Sequence, residues 1–136
     1  MAAVELTGYK DLSDNTLWHG DEQWVKANYD FATHGGTAAA TTYSIAKLPA
    51  GYVVTNAFLK VNTAVEGTSS TLEGGVTGTT AGLYAQTAEA TLVADYVLNF
   101  VGQQVVDSTN NTFFLTIGTA DLTAGNVDCW IKVKKA

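Results

Sequence analysis

The sequence predicts an all-β fold, an antiparallel β-sandwich or jelly-roll-like barrel with an irregular N-terminal arm. Three observations carry this. Apolar residues alternate with polar ones at period two in several separate runs, the pattern of half-buried strands. Turn formers punctuate those runs at intervals of about 8–12 residues, the spacing of a sandwich or barrel. No segment shows a sustained helical repeat. The 136 residues suit one domain, and a mean hydropathy of +0.08 with 46% hydrophobic residues supports a buried core.

Residues 1–22 stand apart. They carry Glu5, Asp11, Asp14, Asp21 and Glu22, their periodicity is weak, and "DLSDNT" and "HGDE" are rich in turn formers. They read as an arm or irregular segment, with a short strand at most around 3–7, ahead of a single β domain at 23–136. Leu12, Leu17 and Trp18 in this segment need cover, from their own subunit or from a neighbour.

In "QWVKANYDFAT" Val25, Ala27, Tyr29 and Phe31 share one face, and Lys26, Asn28 and Asp30 the other. Gly35-Gly36 then ends the strand, glycine supplying the positive φ of a turn. A short strand over 41–47 is expected to pair with it like a hairpin. Pro49-Ala50-Gly51 forms a turn. A long strand over about 52–63 follows with bulky apolar residues on both faces, which implies a central strand covered on two sides. In the strand over about 69–77, Leu72, Gly74 and Val76 are in phase, and Gly74-Gly75 marks a bulge or a close backbone approach. The alanine-rich stretch 81–95 suits one or two helical turns around 82–90. Strands at 112–119 and 126–134, joined by "ADLTAG", complete six to eight strands.

The composition narrows the function. Charged residues make up 15%, net charge is −6, and all seven cationic residues are lysines. No basic stripe exists to hold a nucleic-acid backbone. Without arginine there is no bidentate fork for phosphate or carboxylate. No apolar run approaches the ~18–20 residues of a membrane helix, and no charged-then-apolar leader opens the chain, which predicts a protein made and used without secretion.

Catalytic and ligand motifs are missing. His19, His34 and the nearby acids lack zinc-ligand spacing, so His34 reads as a loop residue. "DLSD" lacks the remainder of a calcium loop. There is no nucleophile elbow, and the glycines of "GGVTGTT" lack phosphate-loop spacing. No cofactor and no catalytic residue is assigned. Cys129, the single cysteine, falls in phase with Val127, Ile131 and Val133 and reads as a buried structural thiol. Trp130 lies on the opposite face, between Asp128 and Lys132. The aromatics suit packing, and an aromatic there favours a second buried contact, between subunits. Leu12, Leu17, Trp18, Trp24 and Trp130 are the candidate protein-interface residues.

Over about residues 25–134 the chain resembles a family of small virion proteins of tailed bacteriophages. The matching parts are Asp30-Phe31-Ala32, Leu48-Pro49-Ala50-Gly51, a threonine-rich middle, and Thr119-Ala120-Asp121-Leu122-Thr123-Ala124-Gly125 before the last strand. The resemblance implies a non-enzymatic capsid decoration, or cement, protein. Such a protein is assembled in the host cytoplasm and sits on the outer surface of the head. Its implied partners are the major capsid protein and copies of itself, as a homotrimer, with no nucleic acid and no membrane. Residues 1–22 depart from the pattern, which leaves open a head-fibre or tail-associated role. A carbohydrate-binding β-sandwich, stacking sugars on Tyr and Trp, is the reading from another class.

Overall fold

A computed structural model describes residues 2–12, 22–38, 41–48, 50–76, 79–102, 104–105 and 112–135. Ten strands occur among them: β1 (Ala2–Asp11), β2 (Glu22–Asp30), β3 (Thr41–Lys47), β4 (Tyr52–Gly67), β5 (Thr71–Val76), β6 (Thr79–Ala88), β7 (Val97–Asn99), β8 (Gln104–Val105), β9 (Thr112–Gly118) and β10 (Leu122–Lys135). They form one sheet in the order β6-β5-β9-β3-β1-β2-β10-β4-β7, with β8 paired to β4. The two ends of that path meet where Tyr84 of β6 bridges Phe100, just after β7, and the Val101 N–H donates to the Leu83 carbonyl at 3.1 Å. The sheet therefore nearly closes into a barrel, which leaves few unpaired backbone groups at its edges. All pairings are antiparallel except β1 with β3.

The interior is filled as the alternation requires. Val25, Ala27 and Tyr29 of β2 point inward, as do Leu59 and Val61 of β4 and Val127, Cys129, Ile131 and Val133 of β10; all are fully buried. Tyr43, Ile45, Leu72, Leu83, Leu115 and Ile117 meet them from β3, β5, β6 and β9. Burial pushes the Cys129 thiol well above its ordinary pKa, with the Asp128 charge adding to the effect. Tyr84 spans the core. Its ring lies against Gly74, its partner on β5, where a Cβ would collide with it. Its hydroxyl reaches the Phe58 and Trp130 carbonyls, at 3.1 and 3.0 Å, and so ties β6 to the inner side of β4 and β10. Gly74 thus marks the close approach its sequence context implies.

Four expectations are corrected. Residues 2–11 are strand, not an irregular arm. β1 lies between β3 and β2, and Leu6 and Leu12 are buried in the core. Val4, Leu6 and Leu12 share a phase, but Gly8 and Lys10 occupy the positions between and hide the alternation. Gly8, at φ 89°, lies where the pairing with β3 shifts register, and at this point Thr7 pairs with Asn28 of β2.

Second, β2 and β3 are not a hairpin. β1 separates them, and they meet through side chains, Tyr29 and Tyr43 packing edge to face at 5.3 Å. Third, the stretch around 82–90 is mostly β6, followed by a single 3-10 turn at Glu89–Thr91. Pairing with β5 and the burial of Leu83 and Tyr84 override the helix preference of alanine, which is worth only tenths of a kcal/mol per residue. Fourth, β4 is not covered on two sides. Lys132 pairs with Asn56 and Val133 with Val54, so Thr55 is an extra residue. This bulge switches phase: Tyr52 and Val54 face the core before it, and Ala57, Leu59 and Val61 after it.

Between β2 and β3 the chain makes one helical turn, α1 (Phe31–His34). Asp30 caps it, accepting from the Ala32 N–H and the Thr33 hydroxyl, each at 3.2 Å. Gly35, at φ 79°, closes it with an N–H bond to the Phe31 carbonyl at 2.9 Å. His34 Nδ1 accepts the Asp30 N–H at 3.0 Å, which places the ring proton on Nε2, 3.3 Å from the Thr7 hydroxyl. The ring stacks on Tyr29, whose hydroxyl donates to the Gly35 carbonyl at 2.6 Å. His34 and Gly35-Gly36 thus build the turn that ends β2.

A candidate interaction face

The outer surface of β2, β10, β4 and β7 carries the most distinctive side chains of the described chain. Pairing sets them in rows. Lys26, Trp130, Phe58 and Asn99 form one row across the four strands. Trp24, Lys132 and Asn56 form the row on one side, and Asn28, Asp128, Lys60 and Val97 the row on the other. Directly opposed residues share a face, so the period-two pattern that buries Val25, Cys129 and Leu59 projects Trp24, Trp130 and Phe58 outward.

The three aromatics form one cluster. Trp130 and Phe58 stack at 5.6 Å, and Trp24 packs edge-on to both, at 6.2 and 5.9 Å. Trp24 stays 42% exposed. Lysines frame the patch: the Lys26 ammonium lies 5.1 Å from the centre of the Trp130 ring, and that of Lys132 5.9 Å from Trp24. Lys26 also lies 3.8 Å from Asp128, and Lys132 pairs with Glu22.

Beside the patch runs a polar network. The Asn28 amide donates to Asn126 and to Asp128, both at 2.8 Å, and the Asn62 amide donates to Asn126 at 3.1 Å. Burial pushes the Asp128 carboxyl up. Hydrogen bonds from Asn28 and Asn62, with the charges of Lys26 and Lys60, outweigh this and hold it below the usual carboxylate range. The carboxylate therefore stays ionised at neutral pH.

An open cleft of about 220 Å³ adjoins the network, lined by residues including Asp30, Phe31, Thr63 and Asn126. Asp30 is its carboxylate, and both oxygens already serve the α1 cap. Among the described residues no three of His, Cys, Asp and Glu converge in a metal-binding group.

The interface candidates separate. Trp24 and Trp130 come together, and Phe58 joins them. Phe58 was legible only as an apolar residue on the second face of a long strand, because its meaning depends on the register with β10. Leu12 does not lie on an exposed arm. It is 3% exposed, its N–H donates to the Lys47 carbonyl at 2.7 Å, and it belongs to this subunit's own core. Leu17 and Trp18 lie outside the described residues.

No protein-family model matches the chain, and no curated protein matches it by sequence. Solved structures share its fold. A chain in the capsid asymmetric unit of cyanophage Pam1 superposes with a TM-score of 0.65 at 16% identity, over 90% of each chain. One in the acidic stable capsid structure of Helicobacter pylori bacteriophage KHP30 gives 0.62 at 15%, over 86% of this chain and 90% of that one. One in the capsid of Ralstonia phage GP4 gives 0.59 at 15%, over 99% of both. At these identities the likeness is one of fold.

Proposed function

We propose that this is a structural protein of a phage particle, a capsid decoration or cement protein that binds the outer surface of the head and stabilises the shell. The observation that carries the reading is the match in fold of 86–99% of the chain to chains in three phage capsid structures. The side chains are consistent with it. A protein that clamps a shell needs contact area rather than chemistry, about 1,200–2,000 Å² for each stable interface. The outward Trp24–Phe58–Trp130 cluster offers a large aromatic anchor of the kind that dominates interfaces.

The partners in this reading are the major capsid protein and copies of the chain itself, as a homotrimer. Leu17 and Trp18, flanked in sequence by Asp14 and Asp21, are proposed as further residues that contact a neighbour. The carbohydrate reading is weaker, because Lys26 and Lys132 lie over the tryptophan rings on which a sugar would stack.

Adding the purified protein to particles that lack it, then sedimenting the particles, tests this role. Saturable co-sedimentation and greater resistance of the particles to heat are expected. Failure to bind would refute it.

A further inference from the structure

We infer that the face of β2, β10 and β4 takes a second copy of this chain, and that the part of the copy it takes is the turn from Glu89 to Asp95. Charge is the first argument. The face carries Lys26, Lys60, Lys132 and Lys134 against Glu22, Asp30, Glu66 and Asp128, a net charge of zero, so the chain's −6 lies on the remainder of the molecule. Lys60 makes no ion pair among the described residues. Two such faces laid on one another would set lysine against lysine, whereas the rest of the same molecule is acidic.

The turn supplies the matching chemistry. Val93 is 53% exposed at its tip, with Ala94 exposed beside it, between the carboxylates of Glu89 and Asp95. The turn is anchored at several points. Leu92 is fully buried and its carbonyl accepts the Val65 N–H at 2.9 Å. The Glu89 N–H donates to the Ser70 carbonyl and the Asp95 N–H to the Val61 carbonyl, each at 2.8 Å. An apolar knob between two carboxylates is thus held in place ahead of binding, which lowers the ordering cost of contact. It complements an aromatic patch framed by lysines. Because knob and patch occupy different parts of one chain, the contact is head-to-tail, and its repetition builds a closed ring where the rotation between copies closes and an open chain where it does not.

This inference assumes the reading of the protein as one of many copies in a symmetric shell, but the two can fail separately. Light scattering on the isolated protein tests the self-contact, and particle co-sedimentation tests the virion role. At roughly 100 µM and low ionic strength, where charge pairs are least screened, the wild type is expected to self-associate, and added salt to weaken it. Lys60→Glu and Glu89→Lys should each weaken association about tenfold, the low end for close interfacial charges, and Val93→Ser by a similar factor through lost apolar burial. Glu89→Lys and Val93→Ser should change the melting temperature little, whereas Lys60→Glu sets a carboxylate opposite Asp128 and should lower its own slightly. The double variant Lys60→Glu with Glu89→Lys should recover association, which a merely structural effect would not do.

A wild type that stays at 14.3 kDa under these conditions overturns the inference. So does association that none of the variants affects. If the variants lose binding to particles but keep self-association, the face belongs to the capsid partner, and the inference fails while the proposed function stands.

Discussion

Deleting residues 1–12 is expected to abolish folding. β1 sits in the middle of the sheet, its ends paired in parallel with β3 and its centre touching β2. Its loss splits the sheet between β3 and β2 and leaves two long unpaired edges. It also removes Leu6 and Leu12 from the core, roughly 1.5–3 kcal/mol each. Backbone hydrogen bonds along the strand add to this, against a total stability of about 5–15 kcal/mol for a typical domain. Near-ultraviolet circular dichroism and a thermal melt are the measurements. The truncated chain should show neither fixed aromatic signals nor a cooperative transition. A melt like that of the intact protein would show that β1 is dispensable.

Gly8→Ala should be the most damaging single substitution among the exposed glycines. Gly8 has φ 89°, where an L side chain is strained by roughly 1–2 kcal/mol. In addition, a Cβ there would lie 2.5 Å from the Lys26 carbonyl oxygen on β2. That oxygen is main chain and moves only if β1 moves away from β2. Together these predict a loss of about 2–4 kcal/mol, a fall in melting temperature on the order of 10 °C for a domain of this size. Two controls separate the causes. Gly51 has φ 88° but no atom within 4 Å of its Cβ position, so Gly51→Ala reports strain alone, about 1 kcal/mol. Gly102 has neither feature, and Gly102→Ala should fall within about 0.5 kcal/mol of wild type. Equal effects at all three positions would refute the close packing of β1 on β2.

The strands readable from the sequence are those in which burial is one-sided and uninterrupted. Val25-Ala27-Tyr29 and Val127-Cys129-Ile131-Val133 alternate cleanly, and the pattern alone places Cys129 inside and Trp130 outside. The expectations that failed involve a backbone irregularity or a distant partner. Gly8 and Lys10 interrupt β1, and the extra residue at Thr55 makes a one-sided strand look two-sided. Leu83 and Tyr84 are adjacent yet both buried, which no alternation predicts, because Tyr84 leans over the bare backbone of Gly74. The interaction face was half legible. Trp24 and Trp130 were marked individually, but only the pairing of β10 with both β2 and β4 brings them onto Phe58. The lysines over the rings follow from the same register. The turn from Glu89 to Asp95, which we infer to be its counterpart, lies in and just beyond the stretch that reads as helix.

Cryo-electron microscopy of the parent phage particle tests the central claim most directly. The account predicts density for this β-barrel on the outer surface of the head, in symmetric groups, with the Trp24–Phe58–Trp130 face buried in a protein contact. Density for the barrel confined to the tail, its absence from the particle, or a head-bound barrel with those three rings facing solvent would contradict it.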